Sequence, residues 1–134
     1  MAIHVKISMK GFDEYLEKIV QAGENVDAAA GRAIEAAAEV ARDGMKKRVA
    51  EDTGNLKNHI QIKGPQQDGN FIFAEVGLIP DIAFTDAETA RYGTAQEYGT
   101  SSMPAHPYIR PTLKEDKNKI RKAEKESLEK DSIL

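Results

Sequence analysis

The chain has 134 residues, of which 40% are hydrophobic and only 6% aromatic, with a net charge of −3 and no cysteine. This length makes one domain, residues 1–134, burying roughly two-thirds of its unfolded surface around an aliphatic, alanine-rich core. The mild acidity argues against a strong nucleic-acid binder, and the missing thiols exclude disulfides and thiolate metal sites; neither a leader peptide nor a membrane-spanning run is expected.

Ile3, Val5 and Ile7 alternate with polar residues, the period-2 pattern of a half-buried strand. Gly11 opens a short helix in which Phe12, Leu16, Ile19 and Val20 share one face, with Asp13 and Glu14 in its first turn and Gly23 suited to its C-terminal cap. Asn25 is the N-cap of the main helix. Val26, Ala30, Ala33, Ile34, Ala37, Ala41, Met45 and Val49 form its apolar stripe, and the small residues among them let it lie close to a sheet. Gly31 and Gly44 each cost about 1 kcal/mol against alanine in a helix interior, which points to close packing or a bend. An amphipathic packing helix accounts for the pattern; a partner-binding helix is the rival reading.

Glu51 to Gly54 ends that helix, and Leu56, Ile60 and Ile62 read as a strand. Gly64 to Asn70 is a polar turn whose Asp68-Gly69 pair marks a hairpin. Phe71 to Leu78 returns with Ile72, Ala74, Val76 and Leu78 on one side and Phe71 and Phe73 on the other. Two apolar faces indicate a central strand, or one whose second face meets another subunit. Ile79 to Ala90 is either a loop that orders on assembly, with Ile82 and Phe84 as its apolar residues, or an extended hairpin. Tyr92 to Tyr98 forms two turns of helix with Ala95 and Tyr98 inward. Thr112 to Lys130 is a further helix with a thin packing face of Leu113, Ile120, Ala123 and Leu128. Its Lys114, Lys117, Lys119, Arg121, Lys122 and Lys125, offset by Glu115, Asp116 and Glu124, read as a solvated face whose DNA contact is at most non-specific.

Between these last two helices, Gly99 follows Tyr98, and prolines at 104, 107 and 111 make an ordered, shaped connection. Glu97-Tyr98-Gly99-Thr100, then Met103-Pro104-Ala105-His106-Pro107-Tyr108-Ile109-Arg110-Pro111, resembles the signature of a tail-component family of long-tailed phages and prophages, described as tail-completion or head–tail joining proteins. Thr53, Gly54 and Leu56 look like that family's Thr-Gly-x-Leu turn, and Lys10 to Leu16 agrees with its N-terminal part. The departures are Asn58, where a small hydroxyl residue is usual, and the long segment from Ile79 to Ala90. The resemblance implies a structural protein of the virion, made in the bacterial host cytoplasm, which finishes or joins the tail at its head-proximal end. It also implies a ring, a hexamer, with other tail and connector proteins as partners and no cofactor. A head-side adaptor or a tail terminator is the rival within that class. Phe71 and Phe73, with Ile82 and Phe84, are the subunit-interface candidates.

The rival from another class is a small hydrolase or toxin-like enzyme using Glu97, His106 and Arg110. Glu97 could serve as a general acid with a raised pKa. Alternatively its carboxylate accepts backbone hydrogen bonds or pairs with Arg110, fixing the loop. A lone carboxylate without a second catalytic group nearby favours the latter. His4, His59 and His106 lack metal-ligand spacing, and no phosphate-cradling or nucleophile-elbow motif is present. The expected fold is α+β: an antiparallel sheet of about four strands packed on one long helix, with a short N-terminal helix and a C-terminal helix.

Overall fold

In the computed structural model, which describes residues 4–8, 11–21, 23, 25–49, 57–69, 71–78, 87–102 and 104–132, the longest element is helix α2, Val26–Arg48. Asn25 caps it, its side-chain oxygen accepting the Ala28 N–H at 3.1 Å, and Asp27 in the first turn with Lys46, Lys47 and Arg48 in the last complements the macrodipole. Ahead of it lie strand β1, His4–Ile7, and helix α1, Asp13–Gln21. After it come strands β2, Gln61–Asp68, and β3, Phe71–Gly77, then helices α3, Ala87–Tyr98, α4, Ile109–Glu115, and α5, Lys117–Ser132.

The fold is α+β, and its antiparallel sheet has the order β1-β3-β2, with three strands among the described residues rather than about four. β3 is central, as its two apolar faces require. The Asp68-Gly69 hairpin is present, but the polar stretch ahead of it is not a turn. Gly64 to Asp68 continues β2, with a register shift between Lys63 and Gln66 that accommodates Pro65 on an edge strand. Gly64 has φ +120°, and a Cβ there would stand 3.1 Å from the Phe73 carbonyl oxygen, so only glycine suits this bulge.

α2 lies on the sheet face that carries Ala74, Val76 and Ile7, where Ile34, Ala37, Ala38, Ala41, Met45 and Val49 join one core cluster. A second side is buried too. Ala29 and Ala33 pack with Phe12, Ile19 and Leu128, so α1 and α5 close over the helix from outside the sheet. The single stripe read from the sequence therefore understates the burial. In α1, Ile19 is fully buried while Val20 is 59% exposed, a correction to the expected shared face. Positions 12, 16 and 19 define one side of a helix, and the next residue is rotated away by about 100°.

The C-terminal helix is interrupted. α4 ends at Asp116, whose N–H bonds the Thr112 carbonyl, and α5 begins at the next residue. The lysines are exposed as expected, but Glu124 is not on the solvated face: it is 2% exposed, between Ile120 and Leu128 on one i, i+4, i+8 stripe. Its Oε2 has no hydrogen-bond partner among the described residues. Burial pushes its carboxyl up from 4.5 to about 7, with Arg121 pulling weakly the other way. No helix among the described residues is long and apolar enough to cross a membrane.

Two predictions follow from this packing. A Cβ at Gly44 would meet Asp116 Oδ2 at 2.5 Å and Thr112 Cγ2 at 2.8 Å, whereas one at Gly31 would meet Pro65 Cγ at an ordinary 3.6 Å. Gly44→Ala is expected to lower stability by about 1–3 kcal/mol through overpacking, and Gly31→Ala to raise it by about 0.5–1 kcal/mol through helix propensity. Denaturant unfolding compares the two, and a Gly44→Ala protein as stable as wild type or more so would contradict the close approach at Gly44.

The second concerns Glu124. A folded-state pKa raised above the unfolded one gives stability that is complete below about 4.5 and is lost as pH rises through about 7. The wild type should lose on the order of 2–3 kcal/mol across that window from this group. Glu124→Gln should remove that component, so the stability of the wild type relative to the variant must fall as pH rises from about 4.5 through about 7; parallel curves would exclude the buried carboxyl as its source.

Candidate functional site: the junction of α3 and α4

Helix α3 ends at Gly99, whose φ of +77° is the left-handed conformation of a C-terminal cap and whose N–H bonds the Ala95 carbonyl at 2.7 Å. The chain then makes a short excursion in which the Ser102 N–H donates to Thr100 Oγ1, and it returns so that the His106 N–H meets the Gln96 carbonyl at 2.6 Å. That return sets the first turn of α4 against the side chain of Glu97.

Glu97 is 1% exposed, and donors surround it. Its Oε1 accepts the N–H groups of Tyr108 at 2.9 Å and Ile109 at 2.8 Å. Its Oε2 accepts the Arg110 N–H at 3.1 Å and Arg110 Nε at 2.8 Å, while a terminal guanidinium nitrogen of Arg110 donates to the Glu97 carbonyl. A helix start leaves four N–H groups without intrahelical partners. Here Tyr108, Ile109 and Arg110 give theirs to one carboxylate, and the fourth position is Pro111, which has no N–H. The start of α4 is fully satisfied.

Burial by itself drives the Glu97 carboxyl upward, but the backbone donors of Ile109 and Tyr108 and the side chain and N–H of Arg110 outweigh it and hold the group below 4.5. A carboxylate so held has no proton to donate near neutrality, so its geometry suits anchoring and not general-acid chemistry. His106 is exposed and joins the cluster only through its backbone. The structure brings Glu97 and Arg110 together and leaves the His106 side chain outside.

Sequence reasoning placed Tyr98 inward, and the structure corrects this. Tyr98 is 48% exposed and the buried neighbours are Gln96 and Glu97, because the α4 N–H groups draw position 97 into the junction. The Tyr98 ring packs instead beneath the Arg110 guanidinium, 5.1 Å from its centroid. Tyr108 is fully buried, with its hydroxyl 3.4 Å from the Gly93 carbonyl, and burial raises its pKa. Thr100 is exposed, and Pro107 and Pro111 are half-buried.

The far end of α4 carries a second charged cluster that the sequence did not reveal. Arg48 Nη1 donates to Asp116 Oδ2 at 2.7 Å, to Thr112 Oγ1 and to the Gly44 carbonyl, and Nη2 donates to Asp116 Oδ1 and Glu115 Oε2. The hydrogen bond to Arg48 is the main cause holding the Asp116 carboxyl below its ordinary range. Thr112 in turn donates to the Tyr108 carbonyl at 2.7 Å. The signal was Gly44, a glycine in mid-helix one turn before Arg48; nothing marked Asp116 apart from its solvated neighbours.

Of the interface candidates, Phe71 is 47% exposed and stacks on Phe73, which is 8% exposed with the Lys6 ammonium over its ring. Thr53, Gly54, Leu56, Ile82 and Phe84 lie outside the described residues. Among the described residues no cluster of His, Cys, Asp and Glu is placed to hold a metal ion.

Removing the Glu97 carboxylate leaves the buried N–H groups of Tyr108 and Ile109, the partly buried N–H of Arg110 and Arg110 Nε without their acceptor. Glu97→Ala is therefore expected to cost about 2–5 kcal/mol, about 1–3 for each buried donor left unsatisfied, and Glu97→Gln less, since the amide oxygen still accepts. Because the group's folded pKa is depressed, its contribution holds above 4.5 and fades as pH falls through the lower folded value. Chemical denaturation across the acid range checks both, and a wild-type-like Glu97→Ala would refute the anchoring role.

Residues 10–99 match the model of the family described as "Bacteriophage HK97-gp10, putative tail-component". No curated protein and no solved structure matched the chain. The matched range takes in α1, α2, the β2–β3 hairpin and α3 as far as Gly99, and the proline-bearing stretch 103–111 lies beyond it. With two-thirds of its length under that match, the chain belongs to the HK97-gp10-like family of bacteriophage tail components.

Proposed function

We propose that this protein is a structural component of the virion that completes or joins the phage tail at its head-proximal end, working there as a hexameric ring. Membership of a phage tail-component family carries the reading. A tail is a tube with rotational symmetry, so a protein finishing one end repeats around the same axis and meets its own copies through heterologous contacts. Its other partners are the neighbouring tail and head–tail connector proteins, and it is made in the host cytoplasm. The exposed lysines of α5 allow at most non-specific contact with passing DNA.

The junction of α3 and α4 supports a structural role in preference to catalysis. Glu97 is consumed by backbone donors and Arg110, which fixes the loop that bears the family signature. Thr53, Gly54 and Leu56, with Tyr98, Gly99, Thr100, Pro107, Tyr108 and Pro111, are assigned to shaping that surface.

Phage particles lacking this protein are expected to yield full-length tails and filled heads that remain separate, as seen by electron micrographs of lysates. Supplying the purified protein should join them. Normal virions in its absence would overturn the reading, and tails of irregular length would favour the tail-terminator station.

A further inference from the structure

We propose that Tyr98, with Arg110 stacked on it, inserts into the groove beside Phe71 of the next copy of this chain, forming the head-to-tail contact of the ring. This rests on the ring reading above and assigns its two surfaces.

The groove, about 230 Å³, lies between α1, the start of α2 and the start of β3. Leu16, Val26, Ala30 and Phe71 make its apolar lining, and Asp13 and Asp27 are exposed acidic residues on it. It has room for one aromatic side chain. The apolar surface continues along α1 to Val20, which borders a second, more open depression sharing Asp13 and Leu16.

The occupant is selected by what the chain leaves exposed elsewhere. Among the described residues the large hydrophobic side chains left exposed are Val20 and Phe71, both at this groove or its extension, and Tyr98. Arg110, 57% exposed although its Nε is paired with Glu97, lies against the Tyr98 ring, so the protrusion is an aromatic bearing an exposed guanidinium edge. The groove is apolar with Asp13 and Asp27 on it, and Arg121 lies over the Phe12 ring at its wall. The charges are complementary, and aromatic and arginine side chains are the usual anchors of such contacts. Glu97 already holds Arg110 through its Nε, so the protrusion is ordered before binding and little freedom is lost on docking.

Their separation along α2 allows a heterologous contact. The groove uses the first turns of α2, Val26 to Ile34, whereas the protrusion is tied through Thr112 to Arg48 in its last turn. A helix of 23 residues is about 34 Å long. Two complementary patches at separate places on one subunit can be matched reciprocally in a two-fold pair or repeat from copy to copy and close when the rotation permits; the ring reading takes the second arrangement, and association beyond a dimer distinguishes them.

The test exploits that asymmetry. Tyr98→Ala lacks the protrusion but keeps the groove; Phe71→Lys keeps the protrusion but lacks the groove, and Asp27→Lys is a second groove variant at an exposed site. Thermal melts confirm that each variant folds. In sedimentation of the purified full chain up to millimolar concentration, wild type should associate beyond a dimer, and each variant alone should associate roughly thirtyfold more weakly or worse. An equimolar mixture of Tyr98→Ala and Phe71→Lys retains one intact contact per pair, so it should form heterodimers and stop there. Variants that associate as wild type does, a mixture that forms no heterodimer, or wild-type protein that stays monomeric throughout would overturn this contact. The ring reading is judged separately, by whether heads and tails join.

Discussion

A carboxylate moved out of water loses several kcal/mol of hydration, and it stays charged in a folded protein only where donors replace that water. Glu97 meets this constraint with three consecutive backbone N–H groups and the guanidinium of Arg110. Hydrogen bonds to a charged group contribute about 1.5–3 kcal/mol each, so four of them offset the desolvation. Satisfying them all fixes residue 97 against residues 108–110 to within hydrogen-bond tolerance. The excursion between Gly99 and Pro107 is thereby closed at its base, and Tyr108 is held in the interior. The direction in which α4 leaves the loop is set by the same carboxylate.

From there the constraint passes down α4 to α2. The short helix has a negative charge at its N-terminus and the Arg48 guanidinium near its C-terminus, the arrangement its dipole favours. Thr112 links the two ends, donating to the Tyr108 carbonyl and accepting from Arg48. Arg48 can reach Asp116 while α4 lies close because Gly44, one turn earlier on α2, presents no side chain. The alanines of α2 do the same along its length, allowing the sheet on one side and α1 and α5 on others to approach a single helix. Small residues thus pack this domain where aromatic bulk is scarce.

What was legible in the sequence was local or periodic. Asn25 marked the start of α2, the alanine-rich stripe its buried side, Asp68-Gly69 the hairpin, and the two-faced apolar pattern of Phe71 to Leu78 the central strand. Pairs formed across many residues were not. Arg48 and Asp116 are 68 positions apart and look like any other charges in basic stretches. Glu124 was read as solvated because it is charged, although its spacing from Ile120 and Leu128 put it in the seam. Tyr98 was read as inward because it is aromatic, but the adjacent glutamate had more donors to gain. In the last two cases residue type argued against geometry, and geometry prevailed. Gly64-Pro65 misled in the other direction: a turn dipeptide by type, it sits in an edge strand at a bulge.

The family match stops at Gly99, two residues after the carboxylate and before every donor that meets it. Three of the four donors are main-chain N–H groups, which any residue but proline supplies, so the chain beyond 99 needs only to return with a helix start at the right place. Arg110 Nε adds the fourth hydrogen bond, and Pro111, the next position, has no N–H that would need an acceptor. The junction is thus built mainly from backbone, completed by the side chain of Arg110. The outward surface of the same loop, Tyr98 and the exposed part of Arg110, stays in solvent while its inner surface holds the fold.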